Sequence, residues 1–241
     1  IGEAAQQGAQ LVVLPEYFPI IGGRDADRLA VREAEGSGPI QDFLAAAAAR
    51  HHIWLIGGSI PLVANDPAKL RNGCLVYDPG GRRVARYDKI HLFGFQKGAE
   101  RYDEAQTIEA GPPEPVAFDA LGLRIGLGIC YDLRFPELFR AMGTVDLLAL
   151  PAAFTDTTGR AHWQVLLKAR AIENQCYVLA AAQGGQHPTG RITHGHSMVI
   201  DPWGEIVAQT GYGEGIVVAD LEPARIAEVR ASLPALSHRK L

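Results

Sequence analysis

Short apolar runs rich in β-branched residues recur along the whole chain, and their recurrence limits the fold more than any other feature. They fall at 10–15, 53–60, 73–77, 83–87, 123–130, 145–150, 176–182, 196–200, 205–209 and 216–221. Runs of this length, bounded by Gly, Pro and Asp, read as strands rather than helices. The near-continuous apolar character of 11–14 and 145–150 predicts strands covered on both faces. Helical patterns stand between some of the runs. Ile40, Phe43, Leu44, Ala47 and Ala48 follow the i, i+3, i+4, i+7 rule behind Pro39, which suits a first helical position. Segment 136–142 reads as a short helix between Pro136 and Gly143, 159–175 as a longer one with Trp163, Leu166 and Leu167 on one face, and 221–232 as a last helix. Turn signals at Asp78-Pro79-Gly80-Gly81 and Asp201-Pro202-Trp203-Gly204 predict two hairpins. Hairpins imply antiparallel pairs, and helices between strands imply crossovers. The fold class is therefore α/β, layered, with mixed strand directions.

The 241 residues contain no Ser/Gly-rich linker, low-complexity tract or short-period repeat, so a single domain over 1–241 is expected. Apolar residues make up 47%, enough for a large core. A net charge of −4 with scattered basic residues argues against a nucleic-acid partner or a polybasic membrane patch, and no apolar run approaches the length of a membrane span. Cys74, Cys130 and Cys176 lie far apart. Three sparse cysteines speak against a disulfide framework and for a reducing, cytoplasmic setting. Residue 1 is Ile, and Ile1, Ala4, Ala5 and Gly8 share a helical face. The sequence is read as opening inside a helix, with a preceding segment missing.

Three of the predicted strands end on an ionisable or nucleophilic residue. Leu11-Val12-Val13-Leu14-Pro15 runs into Glu16, the run at 83–87 into Asp88 and Lys89, and the run at 123–129 into Cys130. In open α/β sheets functional groups collect at such ends. A thiol attacks as thiolate, a nearby cation lowers its pKa, and a carboxylate can take its proton. Attack on an amide carbonyl creates an oxyanion, for which Lys89 and the backbone N–H of Tyr131 are candidate donors. Each residue also has a bland reading. Cys130 suits a small buried hydrophobe, Glu16 a cap after Pro15, and Lys89 a surface charge. Composition and spacing alone leave both readings open.

The residues around these positions resemble the nitrilase superfamily of carbon–nitrogen hydrolases. The resemblance lies in Leu14-Pro15-Glu16-Tyr17-Phe18, in Tyr87-Asp88-Lys89-Ile90-His91-Leu92-Phe93, and in Gly128-Ile129-Cys130-Tyr131-Asp132-Leu133-Arg134-Phe135-Pro136-Glu137, and it extends over essentially the whole chain. It implies Glu16 as general base, Lys89 as stabiliser of the transition state and Cys130 as nucleophile. It also implies a second catalytic-site glutamate between the lysine and the cysteine, best matched by Glu104, with Glu100 and Glu109 nearby. The implied fold is an αββα sandwich of two mixed sheets flanked by helices, assembled as homodimers or larger homo-oligomers. The first strand usual in the family is absent ahead of residue 1. Stretches 161–173, 195–204 and 233–239 look closest to the deaminated-glutathione amidase and ω-amidase branch, whereas Gly94-Phe95-Gln96-Lys97-Gly98 departs from it.

The resulting expectation is a hydrolase that releases ammonia from the terminal amide of a small carboxylic acid through a cysteine thioester. The partner is a small-molecule amide, and no cofactor or metal is called for. Tyr131, Phe154, Thr155, His91 and Phe93 are expected to line the substrate pocket, with packing beneath the site as the alternative. Arg134 and Glu137 read as an ion pair or cap bracing the turn after Cys130, and Arg170 as a charge that offsets the pocket carboxylates. His194 and His196 alternate on an expected strand and so share a face, but no third zinc ligand stands at a diagnostic spacing. Two further functions compete. One is a nitrilase or N-carbamoyl-amide hydrolase using the same Glu–Lys–Cys set. The other is a non-catalytic scaffold.

Overall fold

Helix α1 (Gly2–Gln6) leads into β1 (Leu11–Val13), and α2 (Asp27–Ala30) and α3 (Pro39–His51) lead into β2 (Trp54–Ile56) in the computed structural model, which describes residues 1–22, 27–98 and 100–240. Strands β3 (Ile60–Val63), β4 (Leu70–Tyr77) and β5 (Arg83–Asp88) complete a first sheet. The eight-residue β4 organises it. One edge of β4 pairs with β3 through 70–73 and with β2 through 76–77, while the other edge takes β5. The expected run at 53–60 is thus two strands, because Gly57 and Gly58 let the chain turn between them. Strand β1 lies parallel to β2 at the end of the sheet.

A two-stranded hairpin, β6 (Gly94–Lys97) and β7 (Glu100–Asp103), projects from this sheet before the chain enters the second one. The second sheet contains β8 (Ala117–Ala120), β9 (Leu123–Leu127), β10 (Leu147–Ala152), β11 (Tyr177–Ala182), β14 (Met198–Ile200) and β15 (Ile206–Gln209), in the order β15-β14-β11-β10-β9-β8. Its centre, β9-β10-β11, is parallel and its flanks are antiparallel. Helix α4 (Pro136–Ala141) connects β9 to β10, and α5 (Asp156–Asn174) connects β10 to β11. The small hairpin β12 (Gly184–Gln186) and β13 (Ile192–His194) follows β11, and α6 (Pro223–Ser232) comes last.

Side-chain alternation decides how these layers stack. In β4, Leu75 and Tyr77 pack on Leu44, Ala47 and Ala48 of α3, while Cys74 and Val76 face the other way. There they join Ile125, Leu127 and Leu148 of the second sheet, and Trp163, Leu167 and Ala171 of α5 belong to the same cluster. The order is helix, sheet, sheet, helix, the αββα sandwich that was expected. Each buried leucine of this core contributes about 2 kcal/mol. Helix α3 forms where Pro39 starts it and five alanines favour it, and it stops where His52 turns left-handed at φ 53. Its expected apolar face is narrower than predicted: Phe43 is 52% exposed, with its ring beside that of Phe18.

Three further strand readings are corrected. Strand β10 is buried throughout, as predicted, but β1 is only half-buried, because a cavity of about 580 Å³ runs along it between Val12, Ile125 and the segment at 213–221. Residues 216–221, expected as a strand, face that cavity and pair with no strand among the described residues. Their apolar, β-branched run suits a strand, but it forms no ladder among the described residues. The run at 196–200 begins late, because Gly195 and His196 both have positive φ. His194 and His196 therefore stack, 4.4 Å between centroids, across a turn rather than along one strand.

Candidate active site

Glu16, Lys89 and Glu104 meet just beyond β1, β5 and β7. Lys89 is wholly buried, and its Nζ donates to Glu16 Oε1 at 2.9 Å and to Glu104 Oε2 at 2.8 Å. Of the three glutamates that the sequence left open, Glu104 is the one that reaches the lysine. Glu100 accepts from Thr157 instead, and Glu109 pairs with Arg71. Asn72 of β4 donates to Glu16 Oε1 as well, and the Phe93 N–H donates to Glu104 Oε2. Tyr17 Oη donates to Glu104 Oε1 at 3.0 Å. Glu16 and Lys89 are held by close backbone packing. A Cβ on Gly58 would meet the Pro15 carbonyl at 2.2 Å, and a Cβ on Gly111 would meet that of Asp88 at 2.2 Å.

Burial opposes the charge on Lys89, but Glu104 and then Glu16 outweigh it and hold the ammonium's pKa well above its ordinary value. Burial also opposes ionisation of Glu104, yet the charge and hydrogen bond of Lys89, with the Phe93 N–H, keep that carboxyl below its usual range. For Tyr17, burial first and Glu104 second push the phenol up, so it stays protonated as a donor.

Cys130 opens a 3-10 turn, Cys130–Arg134, directly after β9, and takes a left-handed φ of 49. A non-glycine residue in that region is strained unless its surroundings hold it there. Asp132 holds this turn. Its fully buried carboxylate accepts from the Ile129 N–H at 2.9 Å, from Tyr87 Oη at 2.7 Å and from the His91 N–H at 3.1 Å, and it contacts His91 Nδ1 at 2.7 Å. Arg170 of α5 adds two hydrogen bonds to the Leu133 carbonyl and pairs with Glu173. Burial first, and Glu16 next, push the Cys130 thiol well above its ordinary value, although Lys89 and a hydrogen bond from the Ala153 backbone pull the other way. The expected lowering by a neighbouring cation is thus present but outweighed. Cys130 rests as a thiol beside a carboxylate, not as a preformed thiolate.

Glu16, Glu104 and Cys130 line one pocket, walled by Phe93, Tyr131, Phe154 and Thr155 and rimmed by Arg134 and Arg191. Four of the five expected substrate-contact residues are therefore on its surface. The fifth, His91, is not: its ring lies flat on Phe135, 3.7 Å between centroids, and bonds Asp132 behind the nucleophile turn. Arg170 is likewise absent from the pocket, so its expected role in offsetting charge is withdrawn. Arg134 makes no ion pair with Glu137 among the described residues. It lies over the rings of Tyr131 and Phe154 and contacts His162. Sequence reasoning missed Asn72 and Arg191, which carry no motif of their own; Tyr17 stands inside the Glu16 block, but nothing in the sequence points to its bond with Glu104. Among the described residues no group of three or more His, Cys, Asp or Glu is placed to hold a metal ion.

A thiol beside a carboxylate, with a buried ammonium between two carboxylates, can perform nucleophilic attack on a carbonyl with proton transfer on the spot. The profile of the carbon-nitrogen hydrolase family matches residues 1–231. The chain is 43% identical to a deaminated glutathione amidase of Synechocystis, over 98% of this chain and 88% of that protein. It is 40% identical to the omega-amidase of Homo sapiens, over 100% of this chain and 86% of that protein. A solved structure of a variant amidase of Nesterenkonia sp. AN1, which has undergone Michael addition of acrylamide at its active-site cysteine, superposes with a TM-score of 0.78 at 29% identity, over 96% of this chain and 87% of that one. Fold, site geometry and sequence agree: the chain belongs to the carbon-nitrogen hydrolase family, whose amidases act on bonds other than the peptide bond.

Proposed function

We propose that this chain hydrolyses the terminal amide of a small carboxylic acid, deaminated glutathione or a similar ω-amide, and releases ammonia through a thioester on Cys130. The observation that carries the reading is the Lys89 ammonium bridging Glu16 and Glu104 beside the Cys130 thiol. Cys130 Sγ attacks the amide carbon, forming the C–S bond, while its proton passes to Glu16. The carbonyl electrons move to oxygen. Lys89 has three N–H donors and spends two on carboxylates, so the third is free for that oxyanion, with the Tyr131 backbone N–H as its companion. Collapse breaks the C–N bond, and Glu16 returns the proton to the leaving ammonia. Water, deprotonated by Glu16, then attacks the thioester carbon, and breakage of the C–S bond releases the acid and restores the thiol. Glu104 fixes the position and charge of Lys89.

Tyr131, Phe154, Thr155 and Phe93 are the side chains offered to the acyl portion. We also read the chain as one domain that forms homo-oligomers in the cytoplasm. Val165 and Ile172 stand exposed on one face of α5, at 60% and 49%, beside Trp203 at 48%, an apolar stripe suited to a second copy. Cys74, Cys130 and Cys176 are all buried and free, as suits a reducing compartment. No helix among the described residues is long and apolar enough to cross a membrane.

Cys130→Ala tests the chemistry. Ammonia release from ω-amide acids is expected to vanish while the circular dichroism and thermal midpoint stay near wild type. Residual turnover near the wild-type rate removes the nucleophile assignment. Comparison of matched amides, nitriles and N-carbamoyl amino acids separates amidase from nitrilase and carbamoyl-hydrolase activity.

A further inference from the structure

The steps above leave Arg191 unused. It follows the turn at 187–190, where the His187 N–H bonds its carbonyl, and it reaches the rim of the pocket that holds Cys130 and Glu16. Its guanidinium lies over the ring of Tyr102 at 5.2 Å. Its Nε is buried with no hydrogen-bond partner, and it forms no ion pair among the described residues. The buried Nε has thus lost water without gaining an acceptor, and a ring face compensates this only in part. The local charge balance points the same way. At the floor the Lys89 ammonium, with Arg28 behind Tyr17, is matched to the two carboxylates Glu16 and Glu104, so among the described residues no cation is left over there to bind a second anion on the substrate. Arg134 and Arg191 supply positive charge at the rim, away from the floor.

The pocket is nearly shut in this structure, at about 10 Å³, the space of one water at most. Substrate entry must therefore move side chains at the mouth. The contact between Arg191 and Tyr102 is non-directional, and a carboxylate can replace it with two charge-assisted hydrogen bonds.

We infer that Arg191 is a specificity-determining residue that binds a carboxylate at the end of the substrate remote from the scissile amide. This rests on the amidase reading.

The test measures ammonia release by wild type, Arg191→Gln and Arg191→Lys on two substrates: an ω-amide carboxylic acid such as glutaramic acid, and its neutral methyl ester. The readout is the ratio of kcat/KM for acid over ester, which does not depend on the fraction of enzyme folded. Arg191→Gln is expected to lower this ratio at least about tenfold, mainly through KM, and Arg191→Lys to recover part of it, since an ammonium keeps the charge but not the fork. A ratio within twofold of wild type in Arg191→Gln overturns the inference. Wild type silent on both substrates sinks the amidase reading itself, and this inference with it.

Discussion

At the floor of the pocket, Lys89 and its two carboxylates are fixed by the hydrogen bonds of Asn72, Tyr17 and the Phe93 N–H. At the mouth, Arg134 and Arg191 rest on aromatic faces 5.2 to 5.7 Å away. The floor is a set of directional, buried contacts on strand ends, so a change to one member leaves the others unsatisfied. At the mouth Arg134, from the end of the 3-10 turn, and Arg191, from before β13, lie on ring faces, with the Arg134–His162 contact besides, and can be exchanged one at a time. A family can thus keep one chemistry on a rigid frame while the mouth varies with the amide.

The largest test of this contrast is Lys89→Met. It leaves two buried carboxylates without their cation, and a loss of about 3–5 kcal/mol in stability is expected together with loss of activity. Arg191→Gln, by comparison, is expected to stay within about 0.5 kcal/mol of wild type. Chemical denaturation measures both, and equal losses would erase the distinction between floor and mouth. The pH dependence sharpens the point. Glu104 has a folded pKa below its ordinary 4.5, so its contribution is complete above that value and is lost as acid takes the pH down through the folded pKa. Lys89 has a folded pKa above its ordinary 10.5, so its contribution is complete below that value and is lost as the pH rises through the folded pKa. Denaturation midpoints should therefore show an alkaline limb above 10.5. The buried phenols of Tyr17 and Tyr87 and the buried thiols of Cys74 and Cys176 are also pushed up and add to the same alkaline limb, so Lys89→Met should shrink the limb above 10.5 without abolishing it.

Asp132→Asn comes next. An amide nitrogen in place of one oxygen sets a donor against Tyr87 Oη and the Ile129 N–H, or against the His91 groups. A cost of about 1–3 kcal/mol is expected. With the Cys130 turn loosened from its left-handed φ, kcat is expected to fall more than KM rises. A destabilised variant with unchanged kcat per folded molecule would mean that Asp132 braces the fold but not the nucleophile.

The same contrast explains what could be read in advance. Glu16, Lys89 and Cys130 each end an apolar strand inside a contiguous block, and a strand end fixes where its next residue lies. Glu104 was ambiguous among three glutamates, because it sits in a short 3-10 turn whose reach depends on a hairpin. That hairpin went unseen: Gly94–Lys97 and Glu100–Asp103 are polar and largely unburied, so neither carries the alternation that marks a strand. Arg191 and Tyr102 are brought together by that hairpin and the β12–β13 hairpin, a contact without a local signal. The misread segment at 216–221 makes the opposite case, since its pattern was sound but a strand needs a neighbour. His91 was misjudged because nearness to Lys89 in sequence says nothing about which side of the strand end a ring takes.

Tyr17→Phe is the smallest change and the finest test of the floor. The substitution keeps the ring under the Arg28 guanidinium, 4.3 Å from the centroid, and removes only the hydroxyl that donates to Glu104. Hydrogen bonds to charged groups are worth about 1.5–3 kcal/mol, and Glu104 retains Lys89 and the Phe93 N–H, so a stability loss near the lower end is expected. In the proposed reaction Glu104 acts through Lys89 rather than on the substrate. Its freed oxygen instead lets the carboxylate turn, and Lys89 turns with it. The expected signature is therefore a lower kcat at nearly constant KM, since the oxyanion contact is felt in the transition state and not in substrate binding. A matching rise in KM would move Tyr17 from the floor, where it holds Glu104, to the mouth, where it would be shaping the space the substrate occupies.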